Sequence, residues 1–128
     1  MKLREYFEKA TGMGVLATAD SAGKVNLAIY AKPHFLDEET VAFVMADRLS
    51  HHNLQSNEHA AYLFLESGKK FEGKRLYLAK TREEKESEMM EKIIKEAYPE
   101  VAGQYQGLSK YLVYFHIEEV LPLLGERA

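Results

Sequence analysis

The sequence predicts an α+β domain, mainly β, in which six strands form a closed or nearly closed antiparallel barrel. The β-rich runs cluster in sequence and are joined by short Gly-containing turns, which favours hairpins and antiparallel pairing. Helical patterns are few: one at the N-terminus, a short one after the third strand and a longer one before the sixth. Core residues of the strands face both ways, as in a sheet that closes on itself and hides its edges.

Leu3, Tyr6, Phe7 and Ala10 recur at helical spacing and Gly12 supplies a stop, so residues 2–11 read as a short amphipathic helix. GVLATAD and KVNLAIYA follow as a hairpin across Ser21-Ala22-Gly23. In the second strand Val25, Leu27 and Ile29 share one face, and Asn26, Ala28 and Tyr30 share the other. Pro33 ends or edges that strand. After the acidic turn Asp37-Glu38-Glu39, TVAFVMA lacks alternation, as expected of a strand covered on both faces. DRLSHHNLQSNEH is too polar for a strand, and Ser50 can cap a short helix running to about Ser56. AAYLFLES and KRLYLAK read as a second hairpin across Gly68 to Gly73. Thr81 and Glu84 form a T-x-x-E capping box. Met90, Ile93, Ile94 and Ala97 then give one apolar stripe before Pro99, so residues 82–97 read as the longest helix, laid over the barrel. A Gly-spaced loop, YPEVAGQYQGLS, leads to the last strand, KYLVYFHI, and EEVLPLL reads as a helical turn.

At 128 residues, 46% of them hydrophobic, the chain suits a single domain spanning residues 1–128 with a real core. Cysteine is absent, and MKLREYFEKA carries charges where a signal peptide needs its apolar run. The longest apolar stretch, Ala60 to Leu65, is far short of the roughly 20 residues a membrane span needs. The expectation is a cytoplasmic protein with no membrane partner. A net charge of −3 gives no support to nucleic-acid binding, and the basic cluster Lys69, Lys70, Lys74 and Arg75 reads as a solvated hairpin tip.

The segment from Val44 to Leu54, VMADRLSHHNL, is the candidate ligand site. A strand ends there and a helix begins, and backbone N–H groups at a helix start suit a phosphate. Arg48 could add a bidentate grip and Ser50 a hydroxyl. Plain helix capping beside a surface arginine fits the same pattern. His51 and His52 point about a quarter-turn apart and do not suit one metal. With no cysteine and no H-E-x-x-H, no metal site is expected. A single histidine could still ligate haem iron. His34 and His116 read as ordinary surface or satisfied residues. No G-x-S-x-G elbow, P-loop or G-x-G-x-x-G occurs. Gly12-Met13-Gly14 reads as a helix stop. Glu83, Glu84, Glu86, Glu88 and Glu91 read as the solvated face of the long helix.

The run from Gly14 to Glu66 resembles the pyridoxamine 5′-phosphate oxidase-like family of FMN-binding split barrels. The matching positions are Ala17, Thr18 and Gly23 in the first hairpin, then Asn53, Leu54, Asn57 and the strand from Ala60. KRLYLAKTREE is similar to that family's next strand and helix entry. The resemblance implies a six-stranded antiparallel split β-barrel, a homodimer, and FMN in a groove at the subunit interface. Asn26, Ala28, Ile29 and Tyr30 would lie along the isoalloxazine ring and ribityl chain, with Val44 and Met45 flanking the latter. Arg48, Leu49 and Ser50 fall at or beside the phosphate positions, and Asn53 would fix the loop. Where the family carries a basic residue or two for the phosphate, this chain has Leu49 and Ser50, with Arg48 displaced by one.

The chain is too short for the C-terminal segment that holds pyridoxal in the vitamin-forming oxidases, so pyridoxamine phosphate is not the expected substrate. The resemblance therefore implies a flavoprotein oxidoreductase acting with a small-molecule substrate or electron donor. No residue is an evident acid or base, and Tyr30 is the nearest polar candidate at the ring. Haem handling through His51, His52 or His116 is an alternative. A cofactor-free dimeric binding module and a deazaflavin protein are two more.

Overall fold

A computed structural model describes residues 1–85, 87–97 and 109–126. Helix α1 (Leu3–Lys9) leads into the hairpin β1 (Gly12–Ala19) and β2 (Val25–Tyr30). Strands β3 (His34–Phe35) and β4 (Thr40–Ala46) follow, then α2 (Leu49–Ser56), β5 (His59–Glu66) and β6 (Gly73–Lys85). Helix α3 (Glu88–Ala97) precedes β7 (Lys110–Pro122). All neighbours in the sheet pair antiparallel, in the order β2-β1-β5-β6-β7-β4-β3.

The mainly β, antiparallel reading stands, but the six-stranded closed barrel does not. Among the described residues the sheet has seven strands, and its end strands β2 and β3 are not paired with each other. The seventh, β3, is only two residues long and sits directly after Pro33, too short to leave an alternation in the sequence. Proline has no N–H to continue a ladder from β2, and the chain crosses to pair His34 with Ala42 on the opposite edge.

Four element boundaries also differ. Gly12 is the first residue of β1 rather than a helix stop. It lies so close to β5 that an added Cβ would stand 2.1 Å from the carbonyl oxygen of Leu65. Helix α1 ends earlier, at Lys9. The Thr81–Glu84 capping box does not form, because β6 runs on to Lys85 and residues 82–85 pair with residues 111–114 of β7. Thr81 instead donates its hydroxyl to the carbonyl of Tyr114 at 3.3 Å. Ser87 supplies the cap of α3, its Oγ accepting the Met90 N–H at 3.1 Å. The tail EEVLPLL is strand as far as Pro122, paired with the start of β6, and not a helical turn. Pro99 and the Gly-spaced loop as far as Leu108 lie outside the described residues.

Strand alternation divides the core in two. Phe43 and Met45 of β4 point into the barrel with Leu16, Tyr62, Phe64, Leu76, Leu78, Val113 and Phe115. Phe7 of α1 closes this interior, its ring 5.2 Å from Phe64 and 5.8 Å from Phe35. Ala42 and Val44 point the other way and meet Met90, Ile93 and Ile94, so the stripe read from sequence is the face that α3 buries. Two register shifts in β6–β7 let these 13-residue strands bend around the interior. No helix among the described residues is long and apolar enough to cross a membrane.

Phe43 contacts the rings of Tyr30, Tyr62 and Phe115 and is almost wholly buried. Phe43→Ala is expected to lower unfolding stability by about 3–5 kcal/mol. Urea denaturation followed by far-UV circular dichroism measures it.

Candidate functional site

The side-chain-poor stretch of β1, the inner face of β2, the end of β4 and the start of α2 enclose a cavity of about 670 Å³. Gly14 makes the β1 wall possible. A Cβ there would lie 1.8 Å from the Tyr62 hydroxyl, which passes beneath β1 to donate to the carbonyls of Ala31 (3.0 Å) and Tyr30 (3.3 Å). Gly12, Gly14 and Ala28 line the cavity with little or no side chain.

The opposite end is polar. Asn26 donates its side-chain amide to Ser50 Oγ at 3.5 Å, which ties β2 to α2 and leaves the serine proton free for another acceptor. Arg48, at the cap position of α2, makes no capping bond with its side chain. It is the one charged residue among the described residues lining the cavity, and no carboxylate lines it. Arginine offers a planar, always charged fork suited to a phosphate.

Eight of the ten sequence-derived positions meet at this cavity: Asn26, Ala28, Ile29, Tyr30, Val44, Arg48, Leu49 and Ser50. Met45 does not, because alternation turns it from Val44's face into the barrel interior. Asn53 does not either. It is buried, and its amide donates to Thr18 Oγ1 at 3.0 Å, pinning α2 to β1. Ser50 lies inside the helix rather than at its cap, and its side chain is buried. Gly12, Met13, Gly14, Ala31 and Ala46 also line the cavity. The glycines at 12 and 14 were legible as a wall without side chains, but their place beside a helix favoured a stop.

Among the described residues no histidine lines the cavity. His34 borders a second, smaller hollow of about 290 Å³ beside α1, with Arg4 and Lys32. His52, His59 and His116 are exposed. His51 is buried and stacks on Tyr111 with ring centroids 3.8 Å apart. Its Nε2 lies 2.9 Å from Oε2 of Glu83. Burial pushes the Glu83 carboxyl up, but hydrogen bonds from Gln55, Lys80 and His51 prevail and bring it from 4.5 down to about 2. The sequence pattern around Glu83 reads as a helix surface, whereas the residue lies on β6 and faces α2. Among the described residues no group of three or more His, Asp or Glu is placed to hold a metal ion.

No protein-family profile and no curated protein sequence matches the chain. Solved structures do. An FMN-binding protein from Syntrophomonas wolfei subsp. wolfei superposes with a TM-score of 0.77 at 19% identity, over 98% of this chain and 86% of that one. A Lactobacillus delbrueckii protein assigned provisionally as a pyridoxamine 5′-phosphate oxidase gives 0.68 at 15% identity, over 94% and 92%. HutZ, a heme storage protein from Vibrio cholerae, gives 0.62 at 17% identity, over 94% and 91%. The fold is the split barrel of the pyridoxamine 5′-phosphate oxidase-like proteins.

A carboxyl held below its usual range stabilises the fold fully above pH 4.5, and that contribution is lost as the pH falls toward 2. Glu83→Gln is therefore expected to be less stable than the parent at neutral pH. The gap should close between pH 4.5 and 2, as thermal melts across that range would record.

Proposed function

We propose that the chain is a small FMN-binding protein that uses the flavin to exchange electrons with a small-molecule substrate. The observation that carries this reading is the division of the cavity. An apolar lining with little side chain at Gly12, Gly14 and Ala28 suits a planar ring, and Arg48, Ser50 and Asn26 suit a phosphate. Bound FMN would supply one- and two-electron chemistry, while the protein orients it and sets the polarity around it. The fold neighbour described as FMN-binding supports the same reading. Haem bound through a histidine finds less support in this cavity, since no histidine of the described residues lines it.

The site is shaped for completion by a second copy. Val25, Leu27 and Ile29 on the outward face of the edge strand β2 are 75%, 69% and 67% exposed, an apolar row that a monomer would leave in water. Ile29 belongs both to that surface and to the cavity wall, which the exposed Leu49 and Met13 also line, so a partner packed there would cover the ligand as well.

Purified protein is expected to show the two-banded visible spectrum of a flavin, or to acquire it on titration with FMN. At a hundredfold excess over Kd the ligand adds about 2.7 kcal/mol to stability, visible as a higher Tm. Arg48→Ala is expected to raise the Kd for FMN about tenfold or more, and Ser50→Asp to do the same through charge repulsion. Failure of FMN to bind or to raise Tm defeats the flavin reading, and full affinity in both variants moves the phosphate elsewhere. Sedimentation should show a dimer that Leu27→Glu dissociates.

A further inference from the structure

His51 follows Ser50 in the first turn of α2, yet its side chain crosses to the sheet rather than lining the cavity. The ring lies on Tyr111 of β7 with the two planes 14° from parallel. Nε2 faces Oε2 of Glu83 on β6 at 2.9 Å, and Nδ1 lies 3.6 Å from Oδ1 of Asp47 in the loop before the helix. Lys80 of β6 also faces this group, its Nζ 2.6 Å from the other oxygen of Glu83. Gln55, one turn along the same helix, donates to that oxygen at 3.0 Å. The charged and titratable groups around the ring are therefore Asp47, Glu83, Lys80 and Tyr111.

A protonated imidazole has two N–H groups, and here each would face a carboxylate. Asp47 is covalently joined to Arg48, so attraction between the ring and Asp47 acts on the backbone that carries the Arg48 guanidinium. A neutral ring keeps a single N–H, and the pull on one carboxylate is lost. The ring is buried, so a charge gained or lost there is weakly screened from the polar end next to it. The added positive charge itself favours an anion beside Arg48 and Ser50.

We propose that His51 is a positioning residue whose protonation sets the placement of Arg48 and Ser50, so that the cavity holds an anionic group more tightly as the pH falls. The ligand in this inference rests on the FMN reading; the response of the helix start does not. The test titrates FMN into the parent and into His51→Gln at intervals from about pH 5 to 8, the range in which an imidazole ordinarily changes charge. Protonation of the FMN phosphate is common to both proteins, so the difference between the two profiles isolates the ring. On going to the acid end, the parent is expected to gain about threefold or more in affinity relative to the variant. In ligand-free parent protein, which needs no variant, the Arg48 and Ser50 amide signals are expected to shift with the midpoint of the His51 ring signals by NMR. Parallel FMN profiles, or amide signals that ignore the ring's titration, overturn the proposal. Absence of FMN binding at every pH defeats the flavin reading instead, and the amide titration then decides the role of His51 by itself.

Discussion

Arg82, Glu83, Glu84 and Lys85 at the end of β6 pair with Tyr114, Val113, Leu112 and Tyr111 of β7, and the helices on both sides are fixed by that short ladder. Alternation along the strand sends its side chains to opposite faces. On one face Arg82 lies over the Tyr114 ring at 3.8 Å, and the Tyr114 hydroxyl donates to Glu84, making the floor beneath α3. On the other, Glu83 reaches the first turns of α2 through His51 and Gln55. The ladder thus sets where α3 begins and what α2 leans on, and α2 carries the polar end of the cavity.

The polar cluster around Glu83 differs in kind from the ion pairs elsewhere. Arg4–Glu8 and Lys69–Glu72 join exposed side chains, and such pairs contribute little because water screens them. His51 and Asn53 are buried, and each has its bonds met by a partner more than 30 residues away. Buried polar groups satisfied in this way fix one arrangement of the backbone, since any other would leave them unpaired. The helix that carries Ser50 is held to β1 by Asn53, to β2 by Ser50 and to β6 by His51 and Gln55.

Much of this was legible in the sequence where one periodicity dominated. Met90, Ile93 and Ile94 repeat at helical spacing and pack as that spacing requires. The two faces of β2 separate cleanly, and Val44, Arg48, Leu49 and Ser50 do border the 670 Å³ cavity. The errors fall where a local signal competed with a distant one. Thr81 and Glu84 have the spacing of a capping box, but the ladder to β7 satisfies the backbone of residues 82–85 and keeps it extended. Met45 is adjacent to Val44, and only the register to β7 tells which of the two looks outward. His51 and Glu83 are 32 positions apart, a separation across which no residue pattern announces contact.

The Tyr62 hydroxyl beneath Gly14 links the histories of two positions far apart in the chain. Any side chain at 14 collides with the phenol and with the carbonyl oxygen of Tyr30, so that position can grow only after residue 62 has shrunk and the end of β2 has moved. Residue 62 cannot lose its hydroxyl without withdrawing a donor from the carbonyls of Tyr30 and Ala31, where the cavity-lining strand ends. Each half-step is unfavourable alone. Descendants of this sequence should therefore keep glycine and tyrosine together, or exchange both and reshape the cavity wall as they do.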